Sequence, residues 1–363
     1  MASLTMQQAA ENGTLKKHDG SARGTKRFAN ALHDDLEPPK KRPSPSADRD
    51  VNPVDFWVRK GKWPREYFEL TMDHLRAEKT SASVGRKRSS LVSSSTATPS
   101  DQKPREVKTA PYRDPRYETL LGTKGSYMEM LSPRIADASK EFCITLLETP
   151  QSTPKDSLFR DDVFEVFCHK LRFKNEARVI QDISRLVVPS AETLDTLGAK
   201  HLDILTESVN EGWNNSLPLI GARPQPDYSV GFRREAFTED QLVRLSPFIG
   251  DYLEGDRSFF MSTYYMYFPF LTCEVKCGAA SLDIADRQNA HSMTLAVRAV
   301  AELFGGVRRA EEVDRQILGF SVSHDDQNVR IYGHYPVFQG KQIKYYRHLI
   351  HSFNMVALDG KER

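Results

Sequence analysis

The sequence predicts an α/β (α+β) fold with a central mixed sheet flanked by helices. Three observations predict it. Two short runs, at residues 226–232 and 270–277, alternate in the way a half-buried strand does. A long helical run at 283–304 follows the second of them. Two further strand runs, 316–324 and 328–337, come next, separated by the turn residues Asp325, Asp326 and Gln327.

Taken along the chain, residues 175–188 read first as a helix. Val179, Ile183 and Leu186 recur at helical spacing, and Pro189 supplies the stop. Glu176 lies in its first turn. The strand at 226–232 begins at Pro226, a position where no ladder N–H is needed. Tyr228, Val230 and Phe232 then share one face and Asp227 takes the other. Residues 239–253 read as an inserted helix broken by Pro247, with Leu242, Leu245 and Phe248 on one side. The aromatic run 258–268 is expected to pack against the sheet. A base-stacking platform is its alternative role.

In the strand at 270–277, Leu271, Cys273, Val275 and Cys277 share a face, and Thr272, Glu274 and Lys276 share the other. The helix at 283–304 is stopped by Gly305 and Gly306. Gln288 lies on its partly apolar stripe. Residues 345–353 give one more strand, so the core order is α–β–β–α–β with added strands.

Asp227, Glu274 and Lys276 form the pattern P-D … E-x-K. A hard cation such as Mg2+ takes one or two carboxylates, with waters and substrate phosphate completing its shell. Asp227 and Glu274 supply carboxylates of that kind. Lys276 is placed to orient a water or to offset charge on phosphorus. The alternatives are ordinary: Asp227 as a turn cap, and Glu274 with Lys276 as a solvated pair. For Glu176 the alternative is an acid favoured by the helix dipole. For Gln288 it is a surface amide.

This succession resembles the PD-(D/E)XK nuclease superfamily, the restriction-endonuclease-like fold: a helix with Glu, a strand with P-D, a strand with E-x-K and a helix with Gln. The segments 223–232, 259–277 and 283–292 are similar to a fungal family assigned to that superfamily, and the likeness runs from about residue 160 to the C-terminus. The resemblance implies a metal-dependent nuclease, with Mg2+ (or Mn2+) as cofactor and nucleic acid, DNA or RNA, as partner. Glu176, Asp227 and Glu274 would be metal ligands. Asp227, Glu274, Lys276 and Gln288 would be catalytic. The resemblance also implies a final helix beyond Arg363. One departure from the pattern is the 46-residue connection between Asp227 and Glu274, far longer than an ordinary hairpin loop.

Domain organisation follows from composition. Residues 1–50 read as a disordered basic tail and 81–110 as a Ser/Thr-rich linker. Residues 51–80 read as a short aromatic helical segment, with Phe56, Trp57, Trp63, Tyr67 and Phe68, expected to dock on the main domain. The nuclease-like domain spans 111–363, with a helical part at 111–200 and the core at 160–363. Lys26-Arg27 and Lys40-Lys41-Arg42 form a bipartite basic signal, with Arg86-Lys87-Arg88 as a further cluster. That pattern implies a nuclear import receptor as partner and a nuclear location, with a cytoplasmic one as the alternative. A phosphate at Ser89 or Ser90 would weaken the last cluster.

Charge divides unevenly. Residues 1–110 hold 21 Lys and Arg against 14 Asp and Glu, a net of +7; the rest holds 30 against 35, a net of −5. The globular part is not a broadly basic duplex-binding surface. Mean hydropathy is −0.54, and the lack of a long apolar run argues against a membrane span. The N-terminal residues carry no apolar signal core, which counts against secretion by the usual route. Cys143, Cys168, Cys273 and Cys277 suit a reducing compartment. The spacing of His324, His334, His348 and His351 matches no structural zinc pattern, and they read as strand-end or surface histidines.

Overall fold

The structure, a computed structural model, describes residues 72–79, 110–129, 134–150, 157–171, 174–221, 223–278, 280–340 and 342–357. All lie within one compact unit, Trp63–Arg363. The basic tail, the aromatic residues 56–68, the linker up to residue 109 and every import cluster lie outside the described residues.

Seven strands form one mixed sheet: β1 (Ser126–Tyr127), β2 (Leu205–Val209), β3 (Tyr228–Phe232), β4 (Tyr267–Val275), β5 (Gly319–His324), β6 (Asn328–Gln339) and β7 (Gln342–Asn354). Their order is β1-β7-β6-β5-β4-β3-β2. The β4–β5 and β1–β7 pairs are parallel and the others antiparallel. The mixed sheet flanked by helices is thus present, with β1 and β2 added at its edges. Both strands are too short or too polar for periodicity to reveal them.

One face is apolar. Tyr228, Val230, Cys273, Val275, Val322 and Val329 pack there against Phe164, Cys168 and Leu171, Val179 and Ile183, and Val188 and Ala191. These come from α3 (Asp161–Leu171), α4 (Glu176–Val179) with the segment that follows it, and α6 (Ala191–Thr196). The helix expected at 175–188 is present but interrupted. α4 widens into a π-turn at Ile180–Ser184 before α5 (Arg185–Val187). Its start is fixed by Asn175, whose side chain accepts from the amide of Arg178 at 3.1 Å.

The other face carries the long helix, here α8 (Leu282–Gly306), capped by Ser281. The chain passes through Gly305 and Gly306 as helix, so these glycines are not the stop. A Cβ on Gly306 would lie 3.1 Å from Met72, and one on Gly305 would lie 3.7 Å from Phe338, so the bare backbone leaves room for neighbours. Leu75 of the upstream segment is fully buried here beside Phe260 and Ala299.

The 46-residue connection is an excursion, since β3 and β4 still pair directly. It contains α7 (Glu239–Ile249), opened by a capping box between Thr238 and Gln241. Pro247 lies inside this helix without breaking it, and Gly250 at φ 70° follows its end. In the aromatic run Phe260, Met261, Met266 and Tyr267 are buried, as core packing requires, while Tyr264 is 54% exposed.

Candidate active site

The β3–β4 register pairs Tyr228 with Cys273 and Ser229 with Thr272. Directly opposed residues share a face. Tyr228 and Cys273 enter the apolar core, so Glu274 lies on the α8 side with Ser229 and Thr272, while Asp227 stands just before β3 and lines a small cavity with Ile180, Ser184 and Val275. Asp227 Oδ2 accepts from the Val275 amide at 2.8 Å. Lys276 Nζ lies 4.0 Å from Glu274 Oε2 and donates to the Val275 carbonyl at 2.7 Å. The expected alternation along β4 is therefore present, and it joins acid, acid and lysine.

Their surroundings are closed to solvent. Asp227 and Glu274 are each 1% exposed and Lys276 is 4% exposed. Neither a turn cap nor a solvated pair describes them. Gln288 is buried too, not a surface amide, and its Oε1 has no hydrogen-bond partner. A buried carbonyl left in this state costs free energy unless a ligand or water meets it. Glu176 opens α4, half-buried, and a backbone hydrogen bond from it reaches the Cys277 thiol. Among the described residues no three His, Cys, Asp or Glu side chains gather as a metal-holding group. Asp227 and Glu274 bring two carboxylates to the β3–β4 junction, and Glu176 opens α4 beside Cys277. Two carboxylates suit Mg2+, which keeps waters and takes substrate phosphate for its remaining positions.

Sequence reasoning missed the polar layer between α8 and the sheet. Asn289 is its centre: Oδ1 accepts from Thr272 at 2.7 Å, while Nδ2 donates to Val322 O at 2.9 Å and Ser323 Oγ at 3.0 Å. Ser323 is the β5 partner of Glu274. Asp286 Oδ2 accepts from Arg330 at 2.7 Å and Tyr332 at 3.1 Å. The signal was in the helix itself: Asp286, Arg287, Gln288, Asn289, His291 and Ser292 are all polar, too many for one solvated face of a sheet-covering helix.

A second cover comes from upstream. The Tyr112 hydroxyl shares a hydrogen bond with His291 Nδ1 at 2.8 Å, and the Tyr112 carbonyl accepts from Arg287 Nε at 2.7 Å. Glu118, in α1 (Arg116–Gly122), pairs with Arg287 at 2.9 Å. Burial raises the Tyr112 phenol well above its usual range, and the charges of Tyr117 and Glu274 add to this. Burial and the Arg298 cation lower His291 to about 3, so it sits in the fold as a neutral ring. On the apolar side His324 Nε2 accepts from Ser184 at 2.9 Å and Nδ1 donates to Asp325 O at 2.9 Å. His334 bonds Ser321 at 2.8 Å. Both histidines are interior and not on the surface.

The fold and site define a mixed-sheet domain with a buried acid–acid–lysine set at the β3–β4 junction. Residues 163–363, more than half of the chain, match the family described as a domain of unknown function, DUF7924, and the chain belongs to that family. No curated protein matches it. Among the described residues no helix is long and apolar enough to cross a membrane.

Proposed function

We propose that this domain is a metal-dependent nuclease of restriction-endonuclease-like descent, acting on DNA or RNA in the nucleus. One observation carries the reading: the Asp227 carboxylate, one residue before β3, accepts from the Val275 amide of β4 beside Glu274, and Lys276 lies 4.0 Å from Glu274. Asp227 and Glu274 would hold Mg2+ or Mn2+. A bound divalent ion supplies Lewis acidity and lowers the pKa of a bound water. Lys276 sets a positive charge beside the reacting phosphate, and Gln288 offers an unused carbonyl to a water. Tyr112 and α8 exclude solvent from this set, so substrate entry requires the cover formed by 110–118 to move.

That burial also favours a second reading, a catalytically silent nuclease-type module that binds nucleic acid or protein partners. The two readings separate in one experiment on the full chain. Mn2+ and Mg2+ are titrated by calorimetry into wild type and an Asp227→Ala, Glu274→Ala variant, and labelled DNA and RNA are then offered with each metal. Metal binding and cleavage that both vanish in the variant support the nuclease. Cleavage unchanged in the variant removes this site. Absent cleavage with nucleic-acid binding that survives Lys276→Ala supports the silent module.

A further inference from the structure

Next to the far end of β3, an open groove of about 610 Å³ is lined by Arg233, Arg234, Tyr252, Tyr264, Tyr265 and Tyr267, among others. Its construction is specific. Tyr267 is buried and forms the base. Tyr264 and Tyr265 meet edge to face, centroids 4.9 Å apart at 84°. The Tyr265 hydroxyl is tied to Glu211, and the loop is closed by the Ser262 amide donating to Met266 O at 3.1 Å. Tyr264 is therefore displayed on a braced loop, 54% exposed. Arg234 meets Glu239 at 3.5 Å and hydrogen-bonds the Tyr267 side chain, which holds its guanidinium over the groove's base. The Arg233 guanidinium makes no ion pair among the described residues, its backbone N–H alone bonding Ile204.

We propose that this groove binds single-stranded nucleic acid, a base stacking on Tyr264 and the neighbouring phosphates meeting Arg233 and Arg234. Flat aromatic faces beside guanidinium groups are the chemistry by which single strands are held without sequence readout. The volume suits one unstacked nucleotide, within the range of ordinary small-molecule sites. A duplex fits poorly, since its bases are already stacked and residues 111–363 carry a net charge of −5. Six residues of extended chain separate Arg233 from Asp227, about 20 Å at a strand's rise per residue. At about 3.4 Å per stacked nucleotide, a strand reaching from the groove to the acid–lysine set spans about six nucleotides. The groove is separate from that set, so binding stands or falls independently of cleavage.

The test is fluorescence anisotropy of oligo-dT and oligo-U of about 12 nucleotides against the full chain at low salt, with EDTA present. Saturable binding is expected, with single strand preferred over duplex. Tyr264→Ala should weaken it roughly 5- to 150-fold, the loss of one stacked base. Arg233→Ala with Arg234→Ala should reduce the slope of log affinity against log salt by about 1.4, the share of two phosphates on a single strand. Tyr264 is half exposed, so a thermal melt equal to wild type checks that its substitution leaves the fold intact. Equal affinity of Tyr264→Ala and wild type overturns the proposal, as does tighter binding of duplex. No binding at low salt also overturns it and leaves the groove to a protein partner.

Discussion

Asp227 Oδ2 accepts a hydrogen bond from the Val275 amide at 2.8 Å, and this single bond joins the two halves of the candidate site. It continues the β3–β4 ladder by a side chain where the main-chain pairing ends. The carboxylate of one strand is thereby set against the strand that carries Glu274 and Lys276. The same contact keeps a buried acid at least partly hydrogen-bonded, which such a group requires.

Lys276→Met should destabilise the fold by about 3–5 kcal/mol, because it leaves the Glu274 carboxylate buried without its cation. The double change Glu274→Gln, Lys276→Met should cost less than Lys276→Met alone. Urea unfolding of the three proteins measures both values. An equal or larger loss in the double variant would show that the two side chains are not coupled.

Asn289→Leu should cost about 3 kcal/mol. It deletes the acceptor of Thr272 and the donor to Val322 O and Ser323, and stranded buried polar groups cost about 1–3 kcal/mol each. Thr272→Val in the Asn289→Leu background should recover part of this loss, since the stranded hydroxyl goes with it. Denaturant midpoints of the single and double variants check the sign.

Two glycines should respond oppositely to alanine. A Cβ on Gly231 would lie 2.8 Å from the backbone oxygen of Tyr267 and 2.6 Å from Met266, so Gly231→Ala should cost roughly 1–3 kcal/mol. Gly122 ends α1 with its nearest neighbour at 3.8 Å, so Gly122→Ala should be neutral or stabilising by up to about 1 kcal/mol. Thermal melts of both variants separate the effects.

Acid should weaken the domain through its interior histidines. Burial, with Arg298 for His291 and Arg347 for His334, lowers each to about 3 from an ordinary value of 6.5. Between those values the unfolded chain binds the proton and the folded chain does not. Stability is therefore fully present above pH 6.5 and falls as pH drops toward 3, by about 1.4 kcal/mol per pH unit for each histidine. Urea titrations across this window should show a slope smaller by about one proton in His334→Asn than in wild type. An unchanged slope would mean that His334 titrates normally in the fold.

The sequence alone determined which residues share a face of β4, because side chains in a strand alternate whatever surrounds them. The positions of β3, β4, β5, β6 and α8 were legible for the same local reason, as was the burial of most of the aromatic run. What only the tertiary structure decided depends on distant partners. Register set Asp227 beside Glu274 across a 46-residue excursion, a separation at which sequence spacing says nothing about distance. Packing of α8 and of residues 110–118 closed a polar layer over the sheet and buried Gln288 within it. Tyr264 was parted from its buried neighbours Met266 and Tyr267 by a loop held through Ser262 and Glu211, contacts that no local pattern encodes.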